Sequence, residues 1–385
     1  MRERQFTDCV DIVGSSCKPF EGNRRYISTG AVATDHIDEN DVEIVDYKSR
    51  PSRADLIVEP GTLLFAKMQG TKKTLYVDKE KAENIYSTGF FALKAKSGVI
   101  STRCLYHMLG STSFLTQKDK NCSGATQKAI TNAGLKKIRV SIPDYQLQEA
   151  IADQLDKISS VIQMRRSELQ KLDDLVKARF VEMFGIPFVN DKHWVTKCIG
   201  EVVTEVRYGT SRPAVEGGKY PYLRMNNLTN DGEIDLNNLK YIDIPDDEVE
   251  KCIVRKGDVL FNRTNSAELV GKTAMFDLDE EMIIAGYIIR VRLQSCLRPE
   301  ILSQYMNLKP VKELLHSMAK GAVNQANINA QELQRIEVYI PHIELQREFV
   351  AFKKQLDKSK FVESIHVLKL IKEAIAKEVS HDRIR

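Results

Sequence analysis

Five short stretches of this chain concentrate side chains able to hydrogen-bond nucleic acid. Arg207, Tyr208, Thr210, Ser211 and Arg212 surround Gly209; Arg224, Asn226 and Asn227 follow the strand-like Pro221-Tyr222-Leu223; Asn262, Arg263, Thr264 and Asn265 follow Val259-Leu260-Phe261. In the first half, Arg24 and Arg25, then Lys67, Gln69, Thr71, Lys72 and Lys73, take the analogous places. Guanidinium, amide and ammonium groups read base edges and neutralise phosphates. Polar loops just after strands are where a rigid scaffold presents such groups. The competing assignment is a solvated or self-capping loop, a use to which Asn227 and Asn265 are well suited.

Chemistry of the bond-making kind has no comparable seat. No Pro-Pro pair occurs, so the (N/D/S)-P-P-(Y/F) turn that holds an extruded base in amino-methyltransferases is missing. Residues 266–273, SAELVGKT, imitate a phosphate-binding loop, but Ser266 stands where its first glycine is required. The seven histidines never fall at metal-ligand spacing and no HExxH occurs. The charge run Asp78-Lys-Glu-Lys81 reads as solvated surface. The expectation is a non-catalytic chain with no metal and no cofactor of its own.

Charge and cysteine usage narrow the setting. With 57 Lys plus Arg against 53 Asp plus Glu, the net charge is only +4, so a nucleic-acid surface must arise by segregation of charge. The seven cysteines are odd in number and never form CxxC pairs, which predicts reduced thiols. The opening MRERQFTDCVDIVG carries no apolar signal core and no 18-residue apolar run follows. A soluble, cytoplasmic protein without membrane association is expected.

Two long helices must position the polar loops. Between Leu147 and Phe184, Ile151, Leu155, Ile158, Ile162, Leu169, Leu172 and Val176 recur by fours and threes, with Arg165 at one seam position and neither Pro nor Gly inside. That is coiled-coil spacing, and the helix would be roughly 55 Å long. So narrow a stripe needs one partner helix. Residues 345–380 supply it, with Phe349, Phe352, Leu356, Phe361, Ile365, Leu368, Ile371 and Ile375 as the apolar set. Arg165 either sets the register of the pair or faces DNA; Arg166, Lys171, Lys177 and Arg179 read as its wet face.

The chain also repeats itself. Gln127 and Gln325, Ile130 and Ile328, Leu135 and Leu333, Pro143 and Pro341, and Gln148 and Gln346 are pairs each 198 residues apart. PGTLLFAK (60–67) is echoed by KGDVLFNR (256–263). Each half therefore reads as a mixed α/β unit followed by a helix. Strands are expected around Val42 and Ile44, at 63–65, 75–77, 90–93, 138–142, 259–261, 274–276, 283–293 and 336–340, with helices at 103–115 and 300–318. Pro310 should kink or split the latter, and Asn329 with Glu332 forms a capping box. Gln127 and Gln325 are expected at the joint between unit and helix.

Together SELQKLDDLVKARFVEMFG (167–185), GAVNQANINAQELQRIEVYIPHIELQREF (321–349), VRYGTSRPAVEGGKYPYLRMNNLTNDGEI (206–234) and KGDVLFNRTNSAELVGKTAMF (256–276) resemble the DNA specificity subunit of type I restriction-modification systems. The resemblance covers essentially the whole chain and is weakest over the first 145 residues. It implies an α+β protein: two mixed α/β target recognition domains (1–145 and 186–343), a central helix (146–185) and a distal helix (344–385), the helices antiparallel in a coiled coil, with a pseudo-twofold repeat. Each domain would read half of a split asymmetric site in double-stranded DNA, and the helices would set the spacer and dock two methyltransferase subunits. S-adenosylmethionine, and ATP with Mg, would belong to the methyltransferase and to any restriction subunits. A stand-alone regulator reading a split operator, and a coiled-coil adaptor for protein partners, are the alternatives.

Overall fold

The computed structural model describes residues 2–125, 127–266, 269–319 and 326–360. Its contacts divide the chain into two units, Met1–Gln163 and Met164–Arg385, so the division falls inside the central helix. No helix among the described residues is long and apolar enough to cross a membrane.

In the first unit the strand Thr62–Ala66 is buried at every position. Its alternation explains why: Leu63 and Phe65 enter one apolar cluster while Leu64 and Ala66 enter another. A strand whose two faces both meet apolar matter needs a layer on each side. It lies inside a four-stranded antiparallel sheet, in spatial order Val10–Val13, Phe90–Ala95, Thr62–Ala66, Thr74–Val77. Helices α1 (Thr102–Leu109) and α2 (Thr112–Lys120) contribute Leu105, Leu109 and Phe114 to the first cluster. On the other side runs a five-stranded sheet, ordered 15–16, 54–57, 85–87, 23–27, 43–46, whose pairing of Tyr26 with Ile85 is parallel. A short α3 (Asn132–Leu135), capped by Thr131, leads to the strand Arg139–Ile142, which pairs with Arg2–Gln5.

The second unit repeats the plan. Val203–Tyr208, Ile288–Leu293, Val259–Asn262 and Thr273–Met275 form its four-stranded sheet. Val259 and Phe261 face one cluster and Leu260 the other. The parallel pair is now Tyr222 with Ile283, beside α5 (Asp246–Cys252). Then come α6 (Pro299–Met306), α7 (Lys309–Met318) and α8 (Ala330–Gln334). Pro310 sits in the first turn of α7, so the expected helix is split there; Asn329 and Glu332 do form a capping box on α8.

Three expectations need correction. The helix expected over 103–115 is two helices, because Ser111 caps a new one by accepting from Phe114 N. The strand expected over 283–293 is also two, Met282–Ile284 and Ile288–Leu293. Between them Ala285 N donates to Leu223 O and Gly286 N to Thr210 O, long-range partners that end the first strand. Gln127 does not fix the joint to the helix: it is exposed, beside the strand Ala129–Ile130 that faces Met68. Gln325 lies outside the described residues.

The joint is held by another pair. Gln148, fully buried, accepts from Ser101 N and donates to Val99 O and Pro143 O. Gln346, also fully buried, accepts from Arg298 N and donates to Cys296 O and Pro341 O. The same three backbone groups, taken at equivalent places, bind the start of each long helix to the entry of α1 or α6. An apolar side chain there would leave three polar groups unpaired.

Helix α4 (Tyr145–Phe184) has 40 residues and is therefore about 60 Å long. Gly185, in the left-handed region at φ 85°, ends it. In the first unit Ile151, Leu155, Ile158 and Ile162 are half-buried, and Arg103 of α1 pairs with Glu149, Asp153 and Asp156 of α4. In the second unit Leu169 and Leu172 are half-buried and Val176 buried. There Phe180 and Phe184 pack against Phe349 of the distal helix, ring centroids 5.1 and 5.7 Å apart. Arg179 pairs with Glu348, and Asp173 with Lys360, so the two helices run antiparallel. The distal helix is described over 343–360. Phe352 and Leu356 are half-buried in it, and Phe361, Ile365, Leu368, Ile371 and Ile375 lie outside the described residues. Arg165, half-buried, pairs with Glu168 one turn on.

Candidate nucleic-acid interface

In the second unit, strand ends bring several of the predicted residues together. Tyr208 ends Val203–Tyr208 opposite Ile289, and Asn262 ends Val259–Asn262 opposite Ile288. Arg263 is the first residue past that end, and its guanidinium lies over the Tyr208 ring at 4.9 Å. The Tyr208 hydroxyl accepts from Ala330 N at 2.8 Å, which fixes the ring. One Arg263 Nη donates to Gly286 O at 3.3 Å; the other has no partner among the described residues. Tyr287 beside it is 48% exposed and Tyr208 43%, so an apolar platform and a cation share one accessible edge. Gly209 is required here, since a Cβ would stand 2.2 Å from Ile284 O.

The first unit builds the same frame around Lys67. Lys67 N donates to Gly89 O, as Arg263 N does to Tyr287 O; Ile130 N donates to Lys67 O, as Ile328 N does to Arg263 O. Lys67 Nζ donates to Thr88 O at 2.8 Å, the counterpart of Gly286 O, and lies over the Phe91 ring at 4.5 Å. Burial pushes the Lys67 ammonium below its ordinary value. Two cations of different type are thus held by three equivalent contacts, each on an aromatic face.

The rest of that loop is braced from within. Buried Lys118 donates to Met68 O and Thr71 O, Gln69 donates to Asp119 O, and Lys73 donates to Thr29 O. Thr71 turns its hydroxyl back to Met68 O, and Lys72 is left exposed.

Other predicted residues are placed differently. Asn262 is fully buried and donates to Thr264 O and Tyr287 O; it shapes the loop and cannot reach DNA. Asn265 donates to the Asn262 side chain and remains half-buried. Thr210 is buried, with its hydroxyl accepting from Arg212 N. Arg212 makes a two-point pair with Glu248 of α5, and Arg207, exposed, pairs with Glu205. Arg224 donates to Asn238 O, buried Asn227 braces its turn, and Asn226 is exposed. Arg24 and Arg25 lie inside the strand Asn23–Ile27, at the places of Tyr220 and Pro221, and not after it. Arg25 pairs with Glu39 and Arg24 covers Phe20, on a cleft of about 740 Å³ that also carries Glu80 and Lys81.

Sequence reasoning missed Phe91, Lys118, Tyr287 and Ala330. An aromatic inside an apolar run, or a lysine on the polar side of a helix, carries no mark of its role, and a backbone N–H carries none at all.

The family model for the type I restriction modification DNA specificity domain matches residues 12–173 and again 191–372. The chain is 24% identical over 267 residues to the EcoKI specificity subunit of Escherichia coli, covering 65% of this chain and 57% of that one. It is 26% identical over 169 residues to the MjaX specificity subunit described as putative in Methanocaldococcus jannaschii, covering 43% and 39%. These matches span well under two thirds of either relative's length. A solved type I S subunit from M. genitalium overlays 97% of this chain and 94% of its own at TM-score 0.45 and 16% identity, too loosely to add weight. The two family-domain matches, one in each half and each carrying the duplicated frame, place this chain in the type I restriction modification DNA specificity domain family.

Proposed function

We propose that the chain is the non-catalytic DNA specificity subunit of a cytoplasmic type I restriction-modification complex. Each unit reads one half of a split, asymmetric site in double-stranded DNA. The helices set the spacer and dock two methyltransferase subunits, which bring S-adenosylmethionine; ATP and Mg belong to restriction subunits where these join. The observation that carries the reading is the duplicated frame: Lys67 and Arg263 anchored through equivalent carbonyls at the rims of two equivalent sheets. A lysine in one and an arginine in the other suits two units that read different bases.

Within this reading Arg263, Asn265, Arg207, Tyr208, Arg224 and Asn226 serve one half-site. Lys67 and Lys72, with Arg24 and Arg25 at the margin, serve the other, on a loop that Gln69 and Lys73 brace. The test is co-purification of the full chain with its methyltransferase, followed by DNA binding with and without that partner. A stable complex whose specific binding needs both components is expected. Tight specific binding by the chain alone would favour the split-operator regulator, and no salt-dependent DNA affinity would favour the protein adaptor.

A further inference from the structure

Outside that edge the second unit holds an unusual group of cations. The loop that leaves the sheet at Arg263 returns at Gly271 and Lys272, where Gly271 N donates to Asn262 O and Asn262 N donates to Lys272 O. Gly271 is at φ 81° and pressed onto α7, since a Cβ would meet Leu315 Cδ1 at 2.7 Å. That contact lays Lys312 of α7 against the loop, its Nζ donating to Gly271 O at 2.8 Å. Lys177 of α4 lies 3.7 Å from Asp231, and the next residue, Gly232, sits so close to the strand after Lys272 that a Cβ there would stand 2.9 Å from Thr273 O. Lys272 has no side-chain partner among the described residues.

Asp231 is thus paired with Lys177, while Lys312 is held by a backbone carbonyl and Lys272 follows directly in the chain. Burial lowers Lys312 to about 8; Asp231 opposes the shift, and Lys272 and Lys177 add to it. Burial lowers Lys272 as well. Gathering like charges in a partly dry place destabilises the unit unless an anion joins them, and such costs persist where they serve binding. The anion must be one offered at the flank of a base-reading loop, which is where duplex phosphates run.

We propose that Lys177, Lys272 and Lys312 form a sequence-independent anchor for one backbone phosphate of duplex DNA, beside the base-reading loop of the second unit. The proposal rests on the DNA-reading function above and adds an asymmetry to it. The place of Lys272 is taken in the first unit by Lys73, whose carbonyl accepts from Ala66 N as that of Lys272 does from Asn262 N, but Lys73 spends its ammonium on Thr29 O. The place of Lys312 is taken by Leu115 in α2. Only the second half-site gains the anchor.

The test uses the full chain assembled with its methyltransferase, and two duplexes, one carrying the methylated motif and one lacking it. Affinity is measured between about 50 and 200 mM salt. In the Lys177→Gln/Lys272→Gln/Lys312→Met variant the log–log salt slope should become shallower by about 0.9, the release expected for one phosphate, on both duplexes. Lys312→Arg should keep the wild-type slope, and the methylated motif should not change. Replacing single phosphates by neutral methylphosphonates should locate one position, in the second unit's half-site, where the wild type loses affinity and the triple variant does not. The half-exposed Lys272→Gln, tested alone, separates charge from folding and should give part of the same change. An unaltered slope in all variants while the wild type binds overturns the anchor and leaves the function standing. So does a loss confined to the motif duplex. Failure of the wild-type complex to bind either duplex overturns both.

Discussion

Replacing Gln346 by Met keeps the length of the side chain and removes all of its hydrogen bonding. The structure then has to leave Arg298 N, Cys296 O and Pro341 O without their partner, at a position that is fully buried. A typical net bond contributes about 1 kcal/mol, and a buried group left unpaired costs about 1–3 kcal/mol. Three groups, some of which will recruit water, give an expected loss of about 3–5 kcal/mol. Urea unfolding can read this in the right unit, because the single tryptophan, Trp194, lies in the second unit and donates from Nε1 to Phe184 O at the end of α4. With an m-value of about 2 kcal/mol/M, the tryptophan midpoint should fall by about 1.5–2.5 M. Gln148→Met breaks the same three contacts in the first unit, so it should lower the circular-dichroism midpoint to a similar degree while sparing the tryptophan signal. A tryptophan shift below about 0.5 M for Gln346→Met would refute the view that this residue fastens unit to helix.

Other perturbations probe the interface and the charge balance. Arg263→Ala with Asn265→Ala should abolish methylation directed by one half-site while assembly with the methyltransferase survives; unchanged methylation would remove this loop from the interface. Glu205→Gln withdraws the carboxylate from fully buried Arg290, 2.7 Å away, and should cost about 3–5 kcal/mol in urea unfolding, as expected for a charge left unpaired in the interior. For Lys312, native protein releases a proton near pH 8 that the unfolded chain keeps to 10.5. The native state thus binds fewer protons in that interval, and stability should rise with pH across it by up to about 3 kcal/mol. Urea titrations at about pH 7.5 and 9.5 should show the rise in wild type and its loss in Lys312→Met.

What the sequence discloses and what it hides follow from how each feature is encoded. The buried strands are legible over 63–65 and 259–261 because every position there is apolar and the run is short. The equivalence of Gln148 and Gln346 is visible as a repeat, but its purpose is not, because its partners are backbone groups, two of the three at residues that differ between the halves. Asn262 looks like a binding group until its burial is known, since an amide that shapes a loop and one that reads a base share a spelling. Lysines 118 and 312 lie on amphipathic helices where the pattern assigns lysine to water; only the return of a distant loop onto the helix buries the first and half-buries the second. The break at Gly286 likewise depends on Thr210, far away in the chain.

In the function proposed above, two equivalent units read two different half-sites. The measurement that tests it most directly is N6-methyladenine mapping of DNA from cells expressing the full chain with its methyltransferase, against cells expressing the methyltransferase alone. New methylation at one split, asymmetric motif with a fixed spacer is expected. A stable complex that adds no methylation, or one directed to a single continuous or symmetric site, would contradict it.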